Sequence, residues 1–176
     1  MSTRSRIGYV DQKVNKNVAT TCYIHHDGYP SFVGRMLKLY YNDPEKVKEL
    51  VAGGDMSSIG KFIGEKHDFD TFDDTCSSCT YYMRDREEES CNAIDLDTTK
   101  FWGDSWEDYN YLFDVNTGVW WYRPYGHDMW KPLIDDNCGI TEEDKEQAAK
   151  DLADYKDLEK MCKNLDTMLD NFLAKF

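Results

Sequence analysis

Two short runs of aromatic residues constrain the fold of this chain most strongly. Tyr109–Asp114 and residues 119–123 both have the alternation of strands, and they flank Asn116-Thr117-Gly118. Glycine tolerates the positive φ that such a short loop needs, so the pattern predicts a β-hairpin. Its aromatic residues would lie on both faces of the hairpin. One face can form a core, whereas the other needs a cover or a partner.

A second hairpin is predicted at the start of the chain. Residues 6–10 and Val18–Ile24 are rich in β-branched and aromatic residues, as strands are. Asn15-Lys16-Asn17 lies between them and has the composition of a turn. The two segments therefore predict an antiparallel pair.

Two short helices are predicted after this hairpin. Apolar residues recur at helical spacing over residues 31–41. Asp43 is well placed as the N-cap of the next helix, with Pro44 at its first position and Gly53-Gly54 at its end. The pattern indicates two helices joined by a capped turn.

The middle of the chain carries weaker signals. Residues 55–75 lack periodicity, and we interpret them as a loop with at most one helical turn near residues 57–62. Residues 79–83 and 93–96 resemble short strands on either side of a charged bend at residues 85–89. These two strands could pair with each other across the bend.

From Thr141 onward the sequence predicts a single long helix. Thr141 is the candidate N-cap, acidic residues fill the first turn, and neither proline nor glycine follows before Phe176. The apolar positions have nearly heptad spacing, which favours either packing back on the domain or a homodimer through this helix. These positions are Ala148, Leu152, Tyr155, Leu158, Cys162, Leu165, Leu169, Phe172 and Phe176.

Together the elements predict an α+β fold. It consists of an antiparallel sheet with two short helices, plus a long C-terminal helix. The expected organisation is one α+β domain over residues 1–137 and a C-terminal helical extension over residues 138–176.

The negative charge of the chain is concentrated in its middle. The formal net charge is −13, and residues 66–140 contain 17 acidic residues against 6 basic ones. Nucleic acids and anionic membranes attract basic surfaces, so this charge disfavours both as direct partners. The acidic residues form either a solvated face or a surface that binds a basic groove on another protein. The candidate partner-binding residues are Asp68, Asp70, Asp73, Asp74, Glu87, Glu88 and Glu89.

The segment His25-His26-Asp27-Gly28-Tyr29-Pro30 is the strongest candidate for a site. Turn-forming residues follow the second strand here, with Gly28 available for a positive φ. His25 and Asp27 are the candidate catalytic residues, because a histidine beside a carboxylate can act as a general base. In an extended segment, His25 and Asp27 point to one side and His26 to the other. The alternative is a turn that Asp27 stabilises, with a histidine packed beside Tyr29.

Four further residues complete the candidate ligand site. Arg4 and Arg6 flank Ser5 at the start of the first strand, and their guanidinium groups can hold a phosphate or a carboxylate. His26 and Tyr29 are the candidates from the junction. The arginines can equally pair with the acidic middle of the chain.

The cysteines do not complete a metal or redox motif. Cys76 and Cys79 have the spacing of half a zinc site, but no second closely spaced pair exists. No apolar run resembles a secretory signal or reaches the length of a membrane span. We therefore expect reduced thiols, no metal and no cofactor.

Several motifs resemble those of one family. Residues 2–8 (STRSRIG), the HHDGYP segment with Val33-Gly34, and residues 54–59 (GDMSSI) occur here in that order. They resemble a family of small uncharacterised proteins encoded by tailed bacteriophages and prophages, over about residues 1–135. The resemblance implies a phage origin and the cytoplasm of a bacterial host. The helix from Thr141 departs from it.

Two functions follow from these expectations. The first is a phage accessory protein that binds and inhibits a host factor through an acidic surface, with nucleic-acid-directed defence enzymes as the target class. The second is a binder or hydrolase of a nucleotide-like ligand, in which Arg4 and Arg6 hold phosphate and His25 or Asp27 transfers a proton. The second requires Arg4 and His25 to lie on the same surface.

Overall fold

The computed structural model describes residues 2–71, 75–98 and 106–174. The chain divides into two compact units, Met1–Ile140 and Thr141–Phe176. In the first unit, eight strands of the described residues form one mostly antiparallel sheet, accompanied by short helices. The α+β fold class predicted from the sequence is confirmed.

The elements follow one another in an irregular order along the chain. The strands are β1 (Ser5–Val10), β2 (Val18–Ile24), β3 (Met56–Ser58), β4 (Thr80–Tyr81), β5 (Ile94–Asp97), β6 (Tyr109–Asp114), β7 (Val119–Pro124) and β8 (Lys131–Pro132). The helices are α1 (Gln12–Asn15), α2 (Arg35–Tyr40), α3 (Pro44–Ala52), α4 (Tyr82–Arg86), α5 (Asp135–Cys138) and α6 (Glu142–Leu173).

The sheet has the strand order β4-β3-β2-β1-β6-β7-β8, and β5 pairs with β2 on the edge that β3 also uses. Five of the strand pairs are antiparallel, whereas β1–β6 and β2–β3 are parallel. The sequence had suggested a purely antiparallel sheet, and these two parallel pairs depart from that expectation. Parallel pairs join segments that are distant in sequence, so no local turn motif indicates them.

Both predicted hairpins are confirmed. β1 pairs with β2, and β6 pairs with β7 in a register that sets Phe113 opposite Trp120. Gly118 in the second hairpin loop has a φ of +69°, the conformation for which glycine was expected. The first connection also contains α1, which Asp11 caps by accepting a hydrogen bond from the Lys13 N–H.

The predicted helices are also present. The first begins as a π-helical turn at Pro30–Gly34 and continues into α2. Asp43 caps α3 and accepts hydrogen bonds from the N–H groups of Glu45 and Lys46. Apolar side chains of both helices are fully buried, as an amphipathic face requires.

Buried aromatic side chains connect the sheet to its surrounding loops. Trp120 donates from Nε1 to the Tyr41 carbonyl over 2.8 Å, and the Tyr111 hydroxyl donates to the Gly28 carbonyl over 2.8 Å. The Tyr41 hydroxyl donates in the same way to Gly60 over 2.9 Å. Each ring adds buried apolar area while its polar atom satisfies a loop carbonyl, so the core also fixes the loops.

The middle of the chain departs from the sequence interpretation. The helical turn considered near residues 57–62 is absent, and Met56 and Ser58 instead pair with β4. The segment at residues 79–83 is a strand only at β4 and then turns into α4, and it does not pair with β5. Both β3 and β5 pair with β2. Which strand pairs with β2 cannot be predicted from the composition of the strands.

The second unit is the long helix α6. Its predicted N-cap is confirmed: Thr141 accepts a hydrogen bond from the Asp144 N–H, and Asp144 accepts one from the Thr141 N–H. Leu158, Leu165 and Leu169 are exposed along the predicted seam, whereas Phe176 lies outside the described residues. Self-association through this helix stays a prediction. In the described part of the chain, no helix has the length and apolar composition of a membrane span.

Gly28 is required for a different reason from the one expected. The positive φ of this turn belongs to Asp27, at +54°. Gly28 instead packs against β1: its N–H donates to the Thr3 carbonyl over 2.9 Å, and an added Cβ would lie 2.7 Å from the carbonyl carbon of Arg4. Only a residue without a side chain fits there.

We expect Gly28→Ala to lower the free energy of unfolding by about 1–3 kcal/mol, because the methyl group forces backbone apart. Gly126→Ala is the control: nothing lies within 4 Å of its added Cβ, so only its φ of +73° opposes the change. That cost should be about 1 kcal/mol. Urea unfolding of both variants measures the difference, and equal costs would contradict the close-packing explanation.

Candidate functional site

The ends of β1 and β2 bring four of the polar residues of interest to one face of the sheet. Arg6 lies opposite Tyr23 in the antiparallel pair. Because side chains alternate along a strand, Arg4 and His25 extend from the same face as this pair. Arg4 and His25 therefore lie on one surface, as the nucleotide-ligand hypothesis requires.

Arg6 is held by a buried glutamate. Its Nε donates to Glu107 Oε1 over 2.8 Å, and its Nη2 lies 2.8 Å from the same oxygen. The Glu107 side chain is 2 % exposed and that of Arg6 is 15 % exposed. A carboxylate at this depth needs an opposite charge, so Arg6 compensates Glu107 and is not available to a ligand on its own.

Arg4 is half-buried and has different neighbours from Arg6. Its guanidinium carbon lies 4.9 Å from the centre of the Trp106 ring, and its backbone N–H donates to Asp108 Oδ2 over 2.7 Å. Trp106 is 61 % exposed and lies 5.8 Å from the Tyr23 ring. Arg4 and the two aromatic rings thus form a platform of the kind that stacks on planar ligands.

His25 is set beside this platform in its neutral form. Its Nδ1 lies 2.8 Å from the Tyr23 hydroxyl. Burial lowers the pKa of His25, and the positive charges of His26 and Arg4 lower it further. The imidazole is therefore neutral at pH 7, the state that a general base requires.

His26 and Asp27 lie apart from the surface of Arg4 and His25. The expected alternation of side chains breaks down, because β2 ends at Ile24 and Asp27 adopts a left-handed backbone. The His25 and His26 rings contact each other edge to face, with centroids 4.5 Å apart. His26 and Asp27 then line a common cavity, whereas His25 faces Tyr23. The proposed His25–Asp27 pair is not formed.

Tyr29 lies on the far side of the same turn. Its hydroxyl donates to Asp27 Oδ1 over 3.3 Å, and its ring packs against Phe32. Tyr29 also lines a shallow depression with Tyr109 and Tyr125. It supports the turn and does not join Arg4 and His25 among the described contacts.

The acidic candidates form one surface on the first unit. Lys66 Nζ lies 2.6 Å from Glu87 Oε1, and the Phe69 ring packs 5.4 Å from that of Tyr82. The loop that carries Asp68 and Asp70 therefore lies against the segment of Glu87, Glu88 and Glu89, and these five side chains are exposed. We call these five residues the acidic surface. Asp73 and Asp74 lie outside the described residues.

Cys76 lines the cavity of His26 and Asp27, whereas Cys79 does not. Cys79 is buried and its sulfur accepts a hydrogen bond from the Gly60 N–H over 3.3 Å, while burial raises its pKa. Such a thiol is poorly suited to nucleophilic or redox chemistry. In the described part of the chain, no three potential metal-binding side chains come together.

Trp106, Glu107 and Asp108 were not predicted as site residues. They precede β6, which aligns in parallel with β1 and so brings them beside Arg4 and Arg6. The one available signal was the position of two acidic residues directly before a predicted strand. The position of these two acidic residues becomes informative only when β6 is known to pair with β1.

Comparison with protein-family models, curated proteins and solved structures gave no match.

We expect Arg6→Gln to lower the free energy of unfolding by about 3–5 kcal/mol, because the buried Glu107 loses its cation. Adding Glu107→Gln should restore part of that loss, which a double-mutant cycle in urea will show. Lys66→Gln is the control, since it removes an exposed ion pair worth at most about 1 kcal/mol. A cost for Arg6→Gln no larger than that of the control would be incompatible with a buried ion pair.

Proposed function

We propose that this chain is a phage accessory protein that binds and inhibits a host factor inside a bacterial cell. The acidic surface occupies a basic groove on its target, for which a nucleic-acid-directed defence enzyme is the proposed class. The supporting observation is that two acidic segments, separated in sequence, pack together through Lys66–Glu87 and Phe69–Tyr82.

The charge balance of the acidic surface supports this proposal. The five exposed carboxylates outnumber the two cations among them, since Lys66 pairs with Glu87 and Arg86 lies 3.7 Å from Glu88. Arg84 and Asp85 compensate each other nearby, with 2.8 Å between Nε and Oδ1. A surface with excess negative charge steers a basic partner toward it over about 10 Å at moderate salt.

The inhibition arises from competition. A groove that binds nucleic acid is lined with lysine and arginine and attracts phosphates. Carboxylates fixed on a folded surface can pair with the same cations, so the groove cannot hold both the chain and its nucleic acid. The proposal therefore predicts that nucleic acid and this chain exclude each other from the target.

The test neutralises the acidic surface and measures capture of proteins from a bacterial host lysate at low and moderate salt. We expect the neutralised variant to lose about tenfold or more of the captured basic protein, which nucleic acid should also displace. The variant is Asp68→Asn, Asp70→Asn, Glu87→Gln, Glu88→Gln and Glu89→Gln.

A control variant removes the same charge elsewhere, at five exposed positions of α6. It carries Glu143→Gln, Glu146→Gln, Asp154→Asn, Asp157→Asn and Glu159→Gln. The control should retain capture. If both variants capture the protein as the native chain does, or lose it equally, the acidic surface is not the binding site.

A second candidate function is favoured by the position of Arg4. Arg4 and His25 share one face, and Trp106 and Tyr23 lie beside them. We infer a site for a nucleotide-like anion in which Arg4 attracts phosphate, an aromatic ring stacks on the base, and neutral His25 accepts a proton. Arg6 is held by Glu107, and Asp27 lines the cavity that it shares with His26. The proposed site therefore depends on Arg4 and His25.

An NMR pH titration of the histidine side chains tests this site. We expect His25 to titrate below the usual 6.5, and a bound nucleotide phosphate to raise its pKa because the added negative charge favours the imidazolium. Arg4→Gln should raise the pKa in the free protein and remove the response to nucleotide. Exposed His127 is the internal reference. Equal responses of His25 and His127 to nucleotide would contradict the assignment.

A further inference from the structure

A cavity of about 370 Å³ lies among the turn after β2, strand β3 and the segment leading into β4. Small-molecule sites have volumes from about 300 to 1,000 Å³, so this cavity suits a compact ligand. His26 and Asp27 line it, but Arg4 and His25 do not. It is therefore separate from the site inferred for a nucleotide-like anion.

Hydroxyl side chains form much of the cavity wall. Each serine or threonine hydroxyl can both donate and accept a hydrogen bond. Thr80 Oγ1 lies 3.1 Å from His67 Nε2, which holds this hydroxyl in place. The lining residues with hydroxyl groups are Ser57, Ser58, Thr71, Ser78 and Thr80.

The charge of the lining indicates which ligands it accepts. Asp27 and Asp70 are its carboxylates, and no lysine or arginine of the described residues lines it. Ionised carboxylates accept hydrogen bonds from hydroxyl groups and repel phosphate. The lining thus favours a ligand that donates several hydrogen bonds and carries no negative charge.

The cavity also has an apolar side, formed by Phe32, Ile59 and Phe69. Phe69 is fixed by the Tyr82 ring, 5.4 Å away, and by the Arg86 guanidinium carbon, 5.2 Å from its centroid. A lining that combines these apolar side chains with hydroxyls and carboxylates suits a ring that has a hydrophobic face and polar groups around its edge.

Two backbone conformations shape this wall. Asp27 has a φ of +54° and Cys76 a φ of +50°, and both residues line the cavity. Residues other than glycine seldom adopt this region, and such exceptions cluster where a ligand is held. The surrounding fold maintains both of them at the same cavity.

We propose that this cavity binds an uncharged ring with neighbouring hydroxyl groups, the chemistry shared by a free sugar and the ribose of a nucleoside. The ring lies with its apolar face on Phe32, Ile59 and Phe69. Its hydroxyl groups donate to Asp27 and Asp70 and exchange hydrogen bonds with the serine and threonine side chains.

The test titrates the full, isotope-labelled chain with ribose, glucose, adenosine, uridine and AMP, and follows the backbone amides by NMR. We expect saturable shifts at residues 57–58 and 78–80 with at least one neutral probe. Tighter binding of a nucleoside than of either sugar assigns the ring to a nucleoside, and the reverse assigns it to a sugar. At the cavity residues, AMP should bind more weakly than adenosine, and adenosine binding should depend little on salt; shifts near Arg4 and His25 report the other site.

Asp70→Asn and Thr80→Val should each weaken the best neutral probe about tenfold or more, because each removes a hydrogen-bonding group from the wall. Asp68→Asn is the matched control: it removes the same charge from an exposed residue that does not line the cavity, and it keeps the oxygen that accepts the Asp70 N–H. Because the Asp70 side chain is exposed, the Asp70→Asn variant should keep the native fold. The NMR spectrum of the variant will verify this.

Three results would overturn the proposal. They are the absence of saturable shifts at residues 57–58 and 78–80 with every neutral probe up to about 10 mM, tighter binding of AMP than of adenosine as read at those same residues, and equal losses in Asp68→Asn and Asp70→Asn.

Discussion

The parallel pairing of β1 with β6 supports the rest of the first unit. It joins the N-terminal hairpin to the aromatic hairpin and sets Ile7 beside Tyr111, both fully buried. Because parallel strands start at the same end, the residues before β6 meet those at the start of β1. The ion pair of Arg6 and Glu107, 101 positions apart in sequence, is a direct result of this alignment.

Buried aromatic side chains then extend this order to the loops. Trp120, Tyr111 and Tyr41 each donate a hydrogen bond from a buried side chain to a loop carbonyl. The turn after β2 is held in this way, since Gly28 accepts from Tyr111 and donates to the backbone before β1. The candidate sites therefore rest on backbone that the core fixes.

The candidate polar residues of the first unit lie in three regions. The surface of Arg4 and His25 carries a cation and an aromatic platform, which support the proposed anion. The cavity of His26 and Asp27 carries carboxylates and hydroxyls, which support the proposed neutral ring. The acidic surface shares Asp70 with this cavity and is proposed to bind a basic partner. The side chains of each region therefore support a different proposed ligand.

Elements that depend on local chemistry could be predicted from the residues alone. Gly118 indicated the second hairpin, Asp43 and Pro44 the start of α3, and Thr141 the start of α6, because caps and turns are satisfied by residues a few positions away. The pairing of β1 with β6, the separation of His25 from Asp27 and the role of Glu107 became visible in the folded chain. Those features depend on which distant segments share an edge or a core, and no local pattern of residues encodes that choice.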